Sequence, residues 1–134
     1  MEEDLLLVGL DIGSTTIKIV VMNEAKEILY TNYTRHLSDT KNTMYQVLNK
    51  LLNDFPNNKF KITLTGSGAL EISKLLNIDF IQEVISCKRA VEKYIPKTDV
   101  VIELGGEDAK IIYFDKAIEQ RMNGTCAGGT GAFL

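Results

Sequence analysis

Two stretches of this chain follow one pattern. Asp11-Ile12-Gly13-Ser14-Thr15-Thr16-Ile17-Lys18-Ile19-Val20 and Glu103-Leu104-Gly105-Gly106-Glu107-Asp108-Ala109-Lys110-Ile111-Ile112 both read acid, apolar residue, glycine, short polar turn, one further residue, lysine, two aliphatics. Each copy reads as a strand, a tight turn and a returning strand. A lone acid-x-Gly hairpin is an ordinary turn. Two matched copies constrain the fold far more, because a repeated supersecondary unit implies two lobes that begin alike.

The elements between the copies fit that expectation. Residues 5–10 form an apolar strand and residues 11–15 carry turn chemistry. Residues 16–22 and 27–34 read as two more strands, so an antiparallel meander is expected. The period then turns helical through Met44, Val47, Leu48, Leu51, Leu52 and Phe55, with Ser38, Asp39 or Thr40 as cap and Pro56 as stop. Strands are expected at 59–65 and 79–81, and a short helix over 67–76. A further helix carries Val84, Cys87, Val91, Tyr94 and Ile95 on one face and stops at Pro96. Strands at 99–104, 109–114 and 117–122 follow, and the glycine-rich tail is expected to open a helix near Gly128. The order is β-β-β-α-β-α-β-α, then β-β-β again. The boundary is expected at Pro96-Lys97-Thr98, giving one lobe over residues 1–96 and the start of a second over 97–134.

The chemistry of the repeated turn points to phosphate. Successive amide N–H groups in such a turn make an anion-binding concavity, and Ser14 and Thr15 add hydroxyl donors. An acid at the preceding strand end cannot bind phosphate but can hold Mg²⁺ through water; Asp11 and Glu103 are placed for that role. Lys18 and Lys110 either add positive charge or are solvated strand lysines, and the sequence leaves both open. Two such hairpins across a cleft would grip the phosphates of a nucleotide between lobes.

Composition removes other classes. Of 134 residues, 45% are hydrophobic, enough for a packed core in one domain-sized chain. With 15 basic and 18 acidic residues the net charge is −3, and no basic stripe is present, which argues against nucleic acid or an anionic membrane as partner. Met1-Glu2-Glu3-Asp4 is a poor secretory start, and the apolar run Leu5 to Leu10 is too short to span a bilayer. Two cysteines, Cys87 and Cys126, make no disulfide framework, so a cytoplasmic protein with reduced thiols is expected. Cys87 lies on an apolar helical stripe and reads as a small core residue. His36, at a strand-to-helix turn, reads as a surface or capping residue rather than a catalytic one.

Cys126 is different. It sits in Asn123-Gly124-Thr125-Cys126-Ala127-Gly128-Gly129-Thr130-Gly131, just before the expected helix start. A helix N-terminus lowers a thiol pKa, and glycines admit close approach. From the residues alone it is either a thiolate ligand, as in an iron–sulfur cluster, or an inert small residue in a phosphate-binding loop.

The hairpins resemble the phosphate-1 and phosphate-2 motifs of the actin, sugar-kinase and heat-shock-chaperone ATPase superfamily, whose α/β lobes are ribonuclease-H-like. Gly9 to Thr16, Ile102 to Lys110 and Asn123 to Gly131 together resemble the activators of 2-hydroxyacyl-CoA dehydratases, the BadF/BadG/BcrA/BcrD-type ATPases or CoA-substrate-specific enzyme activases. The resemblance covers nearly the whole chain and implies a first lobe plus the start of the second. It implies an ATP-dependent one-electron donor with a 4Fe–4S cluster shared by two subunits of a homodimer. Each subunit gives two cysteines; Cys126 matches the first, and the second lies beyond Leu134. A ferredoxin or flavodoxin reduces the cluster, ATP binding and hydrolysis shift the lobes, and the electron passes to the dehydratase, which makes a ketyl radical from its acyl-CoA. Carried over, Asp11 is catalytic, holding Mg²⁺ through water and orienting the attacking water. Gly13, Ser14, Thr15, Thr16 and Lys18 face the phosphates of ATP or ADP, and Glu103, Gly105, Gly106, Glu107 and Asp108 close from the second lobe.

Two departures stand out. The chain stops after the cluster cysteine, so a fragment without activity of its own is expected. Glu103 also stands where many relatives have Asp. Rival readings are a sugar or small-metabolite kinase, for which nothing after Asp108 supplies a base and Cys126 goes unexplained, and a non-catalytic nucleotide-binding module.

Overall fold

The structure, a computed structural model, describes residues 4–105, 109–114 and 119–122. Strict alternation decides the first sheet. In β1 (Leu5–Ile12), Leu6, Val8, Leu10 and Ile12 are 4%, 3%, 2% and 0% exposed, and the residues between them are not buried. β2 (Thr16–Met22) pairs antiparallel with β1 and sets Ile17, Ile19 and Val21 opposite Ile12, Leu10 and Val8. β3 (Ile28–Arg35) continues the meander.

The chain then crosses over. Of the three cap candidates Asp39 is the one used: its carboxylate accepts the Asn42 N–H at 3.3 Å and opens α1 (Thr40–Asp54). α1 lays Leu51 on the core and ends at Phe55, before Pro56. β4 (Lys59–Thr65) pairs parallel with β1, bringing Leu64 beside Leu10. α2 (Ala69–Leu76) packs Ala69 into the core and ends at Asn77 in the left-handed conformation. β5 (Asp79–Phe80) adds to β4, giving the sheet order β3-β2-β1-β4-β5. The core therefore lies on one face, made by β1, β2, β4, α1 and α2.

These elements form one compact unit, Met1–Ile81; Gln82–Leu134 form another. The second unit contains α3 (Glu83–Tyr94) and an antiparallel sheet of β6 (Val100–Leu104), β7 (Ala109–Tyr113) and β8 (Glu119–Met122), in that order. Ile112 is fully buried there, and Lys110 Nζ meets Glu83 Oε2 at 2.6 Å, tying β7 to the first turn of α3. The lobe boundary expected at residue 96 falls inside this unit, between α3 and β6.

Some details differ from the sequence reading. β1 runs on through Asp11 and Ile12, because both pair with β2 and Asp11 also pairs with Thr65 on β4. The helix expected from residue 67 begins at Ala69, after a turn through Gly66-Ser67-Gly68. Cys87 is half-buried rather than a core residue; no residue of α3 is buried. An apolar stripe marks a helix face but does not say how fully that face is covered. The helix expected near Gly128 lies outside the described residues.

Candidate functional site

The site grows from the end of the central strand. The Gly13 N–H donates to the Thr16 carbonyl at 2.9 Å and closes the turn between β1 and β2. Ser14 and Thr15 are exposed at its tip, Gly13 is half-buried, and Thr16 is buried. A Cβ on Gly13 would meet nothing closer than the Thr16 carbonyl oxygen at 3.5 Å, so the fold does not itself require glycine there.

His36 holds this turn from behind. It is 5% exposed, which corrects the surface alternative. Its Nε2–H donates to the Gly13 carbonyl at 3.1 Å, and its backbone N–H donates to the Thr15 carbonyl, also at 3.1 Å. A carbonyl only accepts, so Nδ1 is left to accept from the Thr40 hydroxyl at 3.4 Å.

Asp11 lies at the strand end, opposite Lys18 on β2 and Thr65 on β4. Lys18 Nζ reaches Asp11 Oδ2 at 2.9 Å, and also lies over the Tyr33 ring, 5.8 Å from its centroid. Lys18 is thus ion-paired with the acid opposite it. Asp11 Oδ1 is buried and has no hydrogen-bond partner, and the same holds for Thr65 Oγ1. Gly66 follows Thr65 with φ of 104°, and a Cβ there would come 2.4 Å from the Ile12 carbonyl oxygen and 2.6 Å from Asp11 Oδ1. The Gly68 N–H donates to that Ile12 carbonyl at 2.8 Å, fastening the turn after β4 to the end of β1. The sequence reading missed Thr65, Gly66 and Gly68; a Gly-x-Gly turn between a strand and a helix was the available signal.

In the second unit the repeat recurs in register. Glu103 pairs with Lys110 across β6 and β7 as Asp11 pairs with Lys18 across β1 and β2. Here the lysine turns to Glu83. Burial, and then the Glu103 charge, push the Cys87 thiol above its ordinary value, with Lys110 acting in the opposite direction. Gly105 is half-buried; Gly106, Glu107, Asp108 and Cys126 lie outside the described residues. Among the described residues no three His, Cys, Asp or Glu side chains are grouped to enclose a metal ion. The buried, unpartnered Asp11 Oδ1 instead fits a hydrated cation, since Mg²⁺ keeps several of its waters and is commonly held through one or two carboxylates.

A mixed sheet of this order, with a polar turn after its central strand, defines the ribonuclease-H-like α/β lobe of the actin and sugar-kinase superfamily. An exopolyphosphatase from Cytophaga hutchinsonii shares this fold, with a TM-score of 0.61 at 16% identity over 96% of this chain and 52% of its own. The chain belongs to the BadF/BadG/BcrA/BcrD ATPase family, whose sequence model matches residues 8–134. It is 33% identical over 133 residues to the 2-hydroxyisocaproyl-CoA dehydratase activator of Clostridioides difficile, covering 94% of this chain and 48% of that protein. It is 28% identical over 131 residues to the (R)-2-hydroxyglutaryl-CoA dehydratase activating ATPase of Acidaminococcus fermentans, covering 94% and 50%. The solved structure of the C. difficile activator with bound ADPNP has a TM-score of 0.70 at 30% identity, covering 96% of this chain and 49% of its own. The chain spans about half the length of these relatives.

Proposed function

We propose that this chain supplies the first phosphate-binding lobe, and the start of the second, of an ATP-dependent activator. That activator passes one electron to a 2-hydroxyacyl-CoA dehydratase or a related CoA-substrate enzyme. The observation that carries the ATPase part is the Asp11 carboxylate: one oxygen is held by Lys18 and the other is buried without a partner, at the end of the central strand and beside an exposed turn. The names of the relatives support the activator part.

In this reading Gly13 to Thr16 and Lys18 face the phosphates of ATP. Ser14 and Thr15 are exposed at the tip of the turn, and His36 holds the Gly13 carbonyl, leaving it unavailable to repel an anion. Asp11 holds Mg²⁺ through water and orients the attacking water. Bound Mg²⁺ would neutralise charge on the phosphates. Glu103, Gly105, Gly106, Glu107 and Asp108, in the second hairpin, also face the nucleotide. Cys126 is one of two cysteines that each subunit of a homodimer gives to a 4Fe–4S cluster, and the cluster would carry the electron. The reductant is a ferredoxin or flavodoxin, and the protein works in the cytoplasm. Activity is expected of the complete protein rather than of these residues alone.

The test is anaerobic expression of the full-length gene product, with iron, acid-labile sulfide and absorbance near 400 nm measured beside a Cys126→Ser variant. About four irons per dimer, lost in the variant, is the expected result. No iron in either protein sinks the redox role and leaves a phosphate-clamping ATPase or kinase.

A further inference from the structure

We propose that Thr65 completes the Asp11 site: its hydroxyl and Asp11 Oδ1 together hold one water of the hydration shell of a nucleotide-bound divalent cation. The inference rests on the nucleotide reading above and names a residue that reading does not contain.

Four observations converge on this point. Asp11 and Thr65 are direct partners in the parallel β1–β4 register, and paired residues on neighbouring strands project from the same face of a sheet. Asp11 Oδ1 and Thr65 Oγ1 are, among the described residues, the buried side-chain oxygens without a hydrogen-bond partner, and both belong to this one pair. They do not satisfy each other, although a hydroxyl donates and a carboxylate accepts. Asp11 Oδ2 is occupied by Lys18, so the free acceptor is the oxygen on the β4 side of the site, beside Gly66.

Gly66 permits the close approach of β4's end to Asp11. A side chain there would strike Asp11 Oδ1 at 2.6 Å, and its φ of 104° excludes most other residues. The fold therefore brings the Gly66 backbone directly against one of the two unsatisfied oxygens. A water between them accepts from the Thr65 hydroxyl and donates to the carboxylate, leaving a lone pair for a third partner. A cation is the natural third partner. The carboxylate supplies the negative charge, the turn from Gly13 to Thr15 lies at the same strand end, and Mg²⁺ retains water where it meets few carboxylates.

The experiment is calorimetric titration of the full-length gene product with ADP, in Mg²⁺ and in EDTA, for wild type, Thr65→Val, Thr65→Ser and Asp11→Asn. Wild type is expected to bind more tightly with Mg²⁺. Thr65→Val should lose about tenfold or more of that gain, keep its affinity in EDTA within about twofold, and show no lower unfolding midpoint without ligand, since it removes an unpartnered hydroxyl. Thr65→Ser should retain the gain. The proposal is overturned if Thr65→Val keeps the wild-type Mg²⁺ dependence while Asp11→Asn loses it. It is also overturned if Thr65→Val lowers the unfolding midpoint and both affinities alike, which is the mark of a structural hydroxyl. Wild type that binds no ADP in either buffer removes the nucleotide reading, and this inference falls with it. A normal wild type with an unaffected Thr65→Val removes this inference alone.

Discussion

His36, Gly66 and Cys87 each do something their residue type does not announce. His36 is buried and bridges two carbonyls of the Gly13–Thr16 turn, one through its ring and one through its backbone. Replacing it by Leu strands the Gly13 carbonyl and should cost about 1–3 kcal/mol in urea denaturation. Gln, whose amide N–H₂ reaches a similar position, should recover part of that. Gly66 combines a left-handed φ with backbone 2.4 Å from its missing Cβ. Gly66→Ala should therefore destabilise by about 2–4 kcal/mol, read from the same midpoints. Cys87 holds its proton more tightly in the folded state than in the unfolded one. Its contribution to stability is thus complete below the ordinary thiol pKa and is lost as pH rises through the raised folded value. In a Cys126→Ser background, iodoacetamide should label Cys87 with a pH midpoint above that of a free thiol. Glu103→Gln should move that midpoint down, because the Glu103 charge helps to raise it.

At the scale of elements, the two hairpins share a register but spend their lysines differently. Lys18 stays on the acid opposite it, while Lys110 reaches Glu83 on α3. The Lys18 side chain is 43% exposed, so Lys18→Met should change stability by less than about 1 kcal/mol. The strands themselves are held by their buried faces. Leu10 and Leu64, register partners on β1 and β4, are 2% and 0% exposed. Either one changed to Ala should cost about 2–5 kcal/mol in denaturant unfolding, the usual range for a buried leucine truncated to alanine.

At the scale of the molecule, the architecture places chemistry at the carboxyl ends of the central strands. In open α/β sheets this is where ligands bind, because loops there can be varied without disturbing the core. Asp11, the Gly13 turn, Thr65 and Gly66 all lie at that end of β1 and β4. In the full-length gene product, Asp11→Asn should reduce ATP hydrolysis about 100-fold or more, on the scale of removing one catalytic electrostatic group. A steady-state phosphate-release assay reads this directly, and unchanged hydrolysis would remove Asp11 from the catalytic role.

Much of this was legible in the residues. A short apolar run marked β1, β-branched residues marked β2 and helical spacing marked α1, because these signals follow from local backbone geometry. The repeat of acid, glycine and lysine found both hairpins, since a tight turn sets its own register. The polar turn and its acid were legible for the same reason. What the chain could not announce is which distant residues meet. That β4 lies parallel beside β1, placing Thr65 against Asp11 and Gly66 under its carboxylate, depends on a crossover through α1. That His36 swings into the turn, and that α3 leaves Cys87 half-covered, depends on packing summed over many contacts. Local periodicity carries no information on either, and the tertiary structure alone decides them.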